Sequence, residues 1–196
     1  MKNLWDDPRF HREQDRVLRA IAPLAQERMI VLSEAVGLLA PALRRQMRVL
    51  VAGRPRMEMA PLTSRIAALG VAEQFELRLG RMPEDRMARL FAEADAFLFP
   101  YRQIDASGVY YLVKSLGKWM IASRVGVFEE EALAEPHGTL VPPGDVPALA
   151  RALQHAIVTR PRGCAPRAAT AWSDIGRATR ALYERALGEL DARRSP

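Results

Sequence analysis

Residues 94–123, A-D-A-F-L-F-P-Y-R-Q-I-D-A-S-G-V-Y-Y-L-V-K-S-L-G-K-W-M-I-A-S, constrain the fold of this chain more than any other stretch. Two runs within it, 96–99 and 119–122, are apolar at every position. A strand with no polar face has to be covered on both sides, as in a parallel sheet held between two helix layers. Pro100 closes the first run, and residues 107–116 have the spacing of a helix that returns the chain to the second. Asp105, Ala106, Ser107 and Gly108 therefore lie where a strand gives way to a helix. In a doubly wound sheet that is the ligand-binding edge. Unpaired N–H groups and the helix dipole favour an anion there. Gly108 admits close backbone approach, and Ser107 can cap the helix while offering a hydroxyl to a phosphate. The same residues serve equally well as the cap of a purely structural helix.

The rest of the chain repeats the strand–helix alternation. Residues 47–52 (M-R-V-L-V-A), 75–79 (F-E-L-R-L) and 139–141 read as strands. Residues 29–43 read as a helix burying Ile30, Leu32, Val36, Leu38 and Leu39. Further helices are expected at 59–69, stopped by Gly70, at 84–94, and at 146–157, capped by Asp145. A final amphipathic helix spans 172–192. Near the N-terminus, Val17, Leu18, Ile21 and Leu24 have helical spacing that Pro23 interrupts, and 20–24 makes a poor strand. The pattern predicts an α/β fold, a Rossmann-like parallel sheet with helices on both faces, plus N-terminal and C-terminal amphipathic helices. The expected division is a helical extension over 1–28, a domain over 29–160, and a loop and helix packing on it over 161–196.

With 196 residues, nearly half hydrophobic, the chain builds a real core, and no apolar run is long enough to span a bilayer. The first eleven residues lack the apolar centre of a signal peptide. Cys164 is the only cysteine, which excludes an internal disulfide and suits a reducing cytoplasm. His11, His137 and His155 form no metal-ligand spacing, so no zinc site is expected. The net charge of +6 permits phosphorylated or anionic partners. The arginines are interleaved with acids, without an aromatic–basic stripe, so nucleic acid is not an expected partner. There is no G-x-G-x-x-G, no G-x-x-x-x-G-K-[ST] and no G-x-S-x-G.

Five blocks in order give the chain its family resemblance. They are L-G-R-M-P-E-D-R-M-A-R-L-F-A-E-A-D-A-F-L-F-P-Y-R, S-G-V, L-G-K-W-M-I-A-S-R-V-G-V-F-E-E, G-T-L-V-P-P-G-D-V-P-A-L-A-R-A-L and A-W-S-D-I-G-R-A-T-R-A-L-Y. Their order and gaps resemble the second half of a retaining glycosyltransferase of family 4, over about residues 29–186. That family has the GT-B architecture, two Rossmann-like domains facing a cleft, with the acceptor on the N-terminal domain and the nucleotide-sugar on the C-terminal one. The resemblance covers a single GT-B half, the C-terminal one, and no acceptor domain is matched. It implies transfer of a hexose from a nucleotide-diphosphate sugar, in cell-surface polysaccharide synthesis at the cytoplasmic membrane face. No metal or other cofactor is implied.

The resemblance also implies site residues. Ser107 and Gly108 match the Ser-Gly pair that one branch carries in place of the glycines of its Glu-Gly-Phe-Gly motif, and Val109 follows them. Asp105 lies near that motif's first acid, and Glu130 matches the acid after the family's Gly-Gly turn. Asp105 and Glu130 are thus the implied catalytic pair. Gly53, Arg54, Arg102, Ser107, Gly108 and Val109 are the implied donor-binding set. The departures are as definite. Ile104 and Leu112 stand where the family has two glutamates, and Ala22 and Glu27 where it has an Arg and a Lys. Arg28 replaces the Lys only if the register slips by one. Trp119 and Val127 replace a proline and a glycine.

Removing one preorganised donor typically costs about a hundred- to a thousandfold in rate. Arg54, Arg56, Arg81, Arg102 and Arg124, at the predicted strand ends, would compensate by making that edge electropositive. Two readings follow: an enzyme, completed by an acceptor-domain partner chain or a homo-oligomer, or a degenerate non-catalytic relative serving as a partner-binding scaffold.

Overall fold

The computed structural model describes the backbone of residues 18–23, 26–55, 58–104, 107–130, 137–165 and 172–194, with side chains from Arg28 onward except 172, 175 and 188–194. Six strands form one sheet: β1 (Leu18–Pro23), β2 (Met47–Gly53), β3 (Phe75–Leu79), β4 (Ala96–Phe99), β5 (Trp119–Ser123) and β6 (Gly138–Val141). Their order is β3-β2-β1-β4-β5-β6 and every pairing is parallel. The helices are α1 (Gln26–Leu38), α2 (Pro41–Arg44), α3 (Ala60–Ala68), α4 (Glu84–Glu93), α5 (Gly108–Ser115), α6 (Val127–Glu130), α7 (Val146–Thr159) and α8 (Trp172–Arg194). This is the Rossmann-like sheet the alternation predicts.

The two-residue period of the strands sorts the core into two layers. Ala96 and Leu98 of β4, with Trp119 and Ile121 of β5 and Met47, Val49 and Val51 of β2, pack under α1, α3 and α7. Phe97, Phe99, Met120 and Ala122 point the other way, against Leu90, Tyr110, Val113 and Phe128. Both β4 and β5 are buried along their whole length, as their unbroken apolar sequence requires.

Local signals hold where they are strong. Asp145 Oδ1 accepts from the Ala148 N–H at 2.8 Å and caps α7. Gly70, at φ +64°, ends α3 with its N–H donating to Ala67 and that of Val71 to Ile66.

Four expectations are corrected. Residues 18–23 are not helical: they are β1, a strand paired to both β2 and β4 at the middle of the sheet. The helical extension drawn over 1–28 thus does not hold beyond 17, and residues 1–17 lie outside the described residues. The helix expected at 29–43 starts earlier and ends at Leu38, and the turn at Ala40 and Pro41 begins α2. Its buried stripe is Met29, Leu32, Val36 and Leu39, whereas Leu38 is 61% exposed and Ile30 only half-buried. Finally, the side chains of α8 from Gly176 to Leu187 are all exposed, so this part of the helix does not pack on the domain as expected.

Candidate functional site

In the order 3-2-1-4-5-6 the chain reverses direction between β1 and β4, and a doubly wound sheet takes its ligand beyond the carboxyl ends of the strands at such a switch point. Just past Phe99 the chain turns sharply, the Tyr101 N–H donating to the Phe99 carbonyl at 2.8 Å around Pro100. β5 ends the same way, Val125 N–H to Ser123 carbonyl at 2.9 Å.

The Pro100 turn lays Tyr101 back on the aromatic layer. Its ring stacks on Phe128 (centroids 5.8 Å apart, 22° between planes) and on Phe99 (6.0 Å, 14°). Phe128 also meets Phe99 and, edge-on, Tyr110. Tyr101 is consequently 6% exposed. The Arg28 guanidinium, from the first turn of α1, lies 3.6 Å over the centre of that ring. A cation over an aromatic face is attracted by about 0.5–2 kcal/mol, more as water is excluded.

Ser107 occupies the N-cap of α5, its Oγ accepting from the Tyr110 N–H at 3.3 Å. The hydroxyl therefore does serve as a helix cap, and Ser107 is 8% exposed. Capping uses only the third N–H of the helix. Among the described residues the N–H groups of Gly108 and Val109 have no acceptor, and both residues are exposed. A Cβ added at Gly108 would meet nothing within 4 Å. The fold itself thus has no need of glycine there, while an approaching ligand would.

The remaining implied residues are placed by their strands. Gly53 closes β2 at φ +145°, a conformation that only glycine adopts readily, and exposed Arg54 follows it. Arg102 follows β4, its Nε 3.8 Å from the position of a Cβ on Gly144, so it reaches the β6–α7 loop. Arg81 after β3 and Arg124 after β5 are exposed at the same edge. Glu130 ends α6 and is exposed. Asp105 and Arg56 lie outside the described residues. The structure thus brings Arg28, Tyr101, Ser107, Gly108 and Val109 to the switch point, with Gly53, Arg54, Arg102 and Glu130 along its flanks.

The departures from the family sort by location. Ile104 packs on the Phe99–Phe128 aromatic layer, and Leu112 is on an exposed face of α5. Trp119 is fully buried at the amino end of β5, away from the carboxyl edge, and among the described residues its Nε1 has no partner. Ala22 lies in β1 and Glu27 in α1, next to Arg28. Sequence reasoning missed Tyr101. The signal is the F-P-Y-R run, an aromatic where the chain leaves the sheet, but its meaning depends on recognising β1 and the switch point beside it.

Elsewhere, Lys118 donates through Nζ to the carbonyls of Ala92 (3.2 Å) and Ala94 (2.7 Å), tying β5 to the end of α4. Cys164 Sγ lies 3.2 Å from His137 Nδ1. Among the described residues no three His, Cys, Asp or Glu side chains cluster for a metal, and no helix is long and apolar enough to cross a membrane.

Sheet order and open helix amides define this as a Rossmann-like domain, and the comparisons with known proteins make it one half of a GT-B glycosyltransferase fold. The chain belongs to the family described as Glycosyl transferases group 1, which residues 16–158 match. Solved structures agree. Sucrose-phosphate synthase from Thermosynechococcus elongatus superimposes with a TM-score of 0.71 at 18% identity, covering 92% of this chain and 48% of that one. WaaG, a glycosyltransferase involved in lipopolysaccharide biosynthesis, gives 0.61 at 19%, over 81% and 43%. Anabaena HepE, in complex with UDP and glucose, gives 0.59 at 17%, over 75% and 41%. The chain therefore spans about half the length of these structures or less, and at such identities the likeness establishes the fold alone. No curated protein matches the sequence.

Proposed function

We propose that this chain is the donor-binding half of a glycosyltransferase. It holds the diphosphate of a nucleotide-sugar at the N-terminus of α5 while the hexose passes to an acceptor. The carrying observation is the pair of open N–H groups at Gly108 and Val109, where α5 begins after β4, with Arg28 in the first turn of α1, the helix after the neighbouring strand β1. Negative charge grows on the departing diphosphate during such a transfer, and fixed amides, the helix dipole and arginines stabilise it without reorganising. Ser107, Gly108 and Val109 bind the diphosphate, Gly53 and Arg54 line the nucleotide side, and Arg102 faces the phosphates. Asp105 contacts the sugar and Glu130 its hydroxyls. Arg28, one position past Glu27, supplies the charge that the family carries on its lysine. That HepE was solved with UDP and glucose supports this choice of ligand class. The acceptor side comes from a partner domain or chain, and cell-surface polysaccharide synthesis at the cytoplasmic membrane face is the setting we infer.

One observation favours the scaffold reading instead: the exposed run of α8, with Leu182, Tyr183 and Leu187 open to solvent, suits partner binding without chemistry. Calorimetric titration of the chain with UDP, GDP and ADP separates the two. Micromolar binding of one of them, abolished by Gly108→Phe in a variant that still folds, supports the donor site. Silence with all three supports the scaffold.

A further inference from the structure

On the donor-site reading, on which this proposal rests, Arg28 is the arginine nearest in sequence to the positions of the family's missing basic pair, Ala22 and Glu27. Arg28 is half-buried, and among the described residues no carboxylate is within ion-pair reach of it. What holds it is the face of Tyr101, and that ring itself rests against Phe99 and Phe128, which also touch each other. The mode of holding matters chemically. A carboxylate partner would neutralise the guanidinium and occupy its N–H fork. A ring contacts only the flat π face, and leaves the charge and the in-plane N–H donors available for a bidentate anion.

We propose that Tyr101 is a positioning residue. Its ring fixes the Arg28 guanidinium at the switch point with its donors open, ready for the diphosphate bound at α5. The aromatic layer beneath the site thus acts on binding through Arg28, beyond its share in the core. Tyr101 needs no contact with the ligand, and its hydroxyl needs no role.

The test compares wild type with Arg28→Met, Tyr101→Phe, Tyr101→Leu and the Arg28→Met/Tyr101→Leu double variant. Each is titrated with the nucleoside diphosphate that binds best among UDP, GDP and ADP, and with inorganic pyrophosphate. Arg28→Met is expected to weaken binding about ten- to a hundredfold and to reduce its salt dependence. Tyr101→Leu should weaken it about two- to thirtyfold. Tyr101→Phe should stay near wild type because it keeps the ring, and Tyr101→Leu should add nothing in the Arg28→Met background.

Two further readouts isolate the ring's role. Fluorinated phenylalanines at position 101 keep the shape but drain the π face, and affinity should fall in step with fluorine count. In the ligand-free protein the Arg28 Nε–H resonance should be ring-current shifted, and Tyr101→Leu should remove the shift. An unshifted Arg28, or a Tyr101→Leu variant that binds as wild type does, overturns the positioning role while leaving the donor site standing. A shifted Arg28 in a wild type that ignores every diphosphate and pyrophosphate overturns the donor site and the anion role of the pair together.

Discussion

The two faces of this sheet are built from different chemistry and do different work. Under α1, α3 and α7 the layer is almost wholly aliphatic, Leu, Val, Ile, Met and Ala, with Trp119 as its one fully buried aromatic. Under α4, α5 and α6 it is rich in aromatics: Phe99, Tyr101, Tyr110 and Phe128 pack ring on ring, Phe97 pairs with Phe91, and the stack runs out to the carboxyl edge of the sheet. Aliphatic packing is adaptable and supplies burial. Flat rings with two rotatable bonds hold a fixed geometry, which suits a layer that must aim a guanidinium and seat a helix N-terminus. The difference teaches that the second layer serves as core and as site support at once.

Core truncations test this most severely. Phe128→Ala and Leu98→Ala are each expected to cost about 2–5 kcal/mol of stability, read from denaturant melts. At temperatures where both remain folded, only Phe128→Ala should also weaken diphosphate binding, because Phe128 supports Tyr101. Equal losses of affinity from both would erase the distinction between the faces. Next in size is Lys118→Met. The lysine's bonds to Ala92 and Ala94 belong to the aromatic side but sit at the far edge of the sheet. Hydrogen bonds to a charged group contribute about 1.5–3 kcal/mol, so the melt should shift while affinity holds. A drop in affinity here would mean that the whole layer, and not its outer end, controls the site.

Two helix caps give a finer comparison. Ser107→Ala and Asp145→Ala should each cost about 1 kcal/mol, since both side chains satisfy one helix N–H. The serine variant alone should lose substantial affinity as well, if its hydroxyl meets the ligand as it caps. The smallest effect is a pH dependence. Burial, and then neighbouring Tyr111, raise the pKa of Tyr110 above its usual 10.0. The folded chain therefore keeps this proton more tightly than the unfolded one. Stability from Tyr110 is complete below the unfolded value and is lost as pH rises through the folded one. Melts between neutral pH and strongly alkaline solution should show this decline, and Tyr110→Phe should flatten it.

Legibility in the sequence followed how local each signal was. β3 and β4 were readable to the residue, and β5 nearly so, because a short run's burial pattern is written in its own side chains. β1 was not. Its sequence, L-R-A-I-A-P, carries a charge and ends in proline, which cannot donate to a ladder and is tolerated because it comes last. Its apolar residues even fall at helical spacing; partners on both sides, β2 and β4, make it a strand. Leu38 misled for a similar reason: as the last residue of α1 it turns outward, and only the neighbours of α1 decide which stripe faces in. In the site, Ser107 and Gly108 were visible as a loop-to-helix pair, but their open amides and the space beside Gly108 were not.

The sequence by itself determined the alternation of strands and helices, the parallel sheet, the caps at Asp145 and Ser107, and the order of blocks that marks the family. Tertiary structure decided that residues 18–23 complete the sheet, that its switch point lies between β1 and β4, and that Arg28 rests on Tyr101. The physical reason is range. Propensity, patterning and capping act within a few residues, whereas a cation placed on a ring 73 positions further along, from 28 to 101, exists only once two strands have paired.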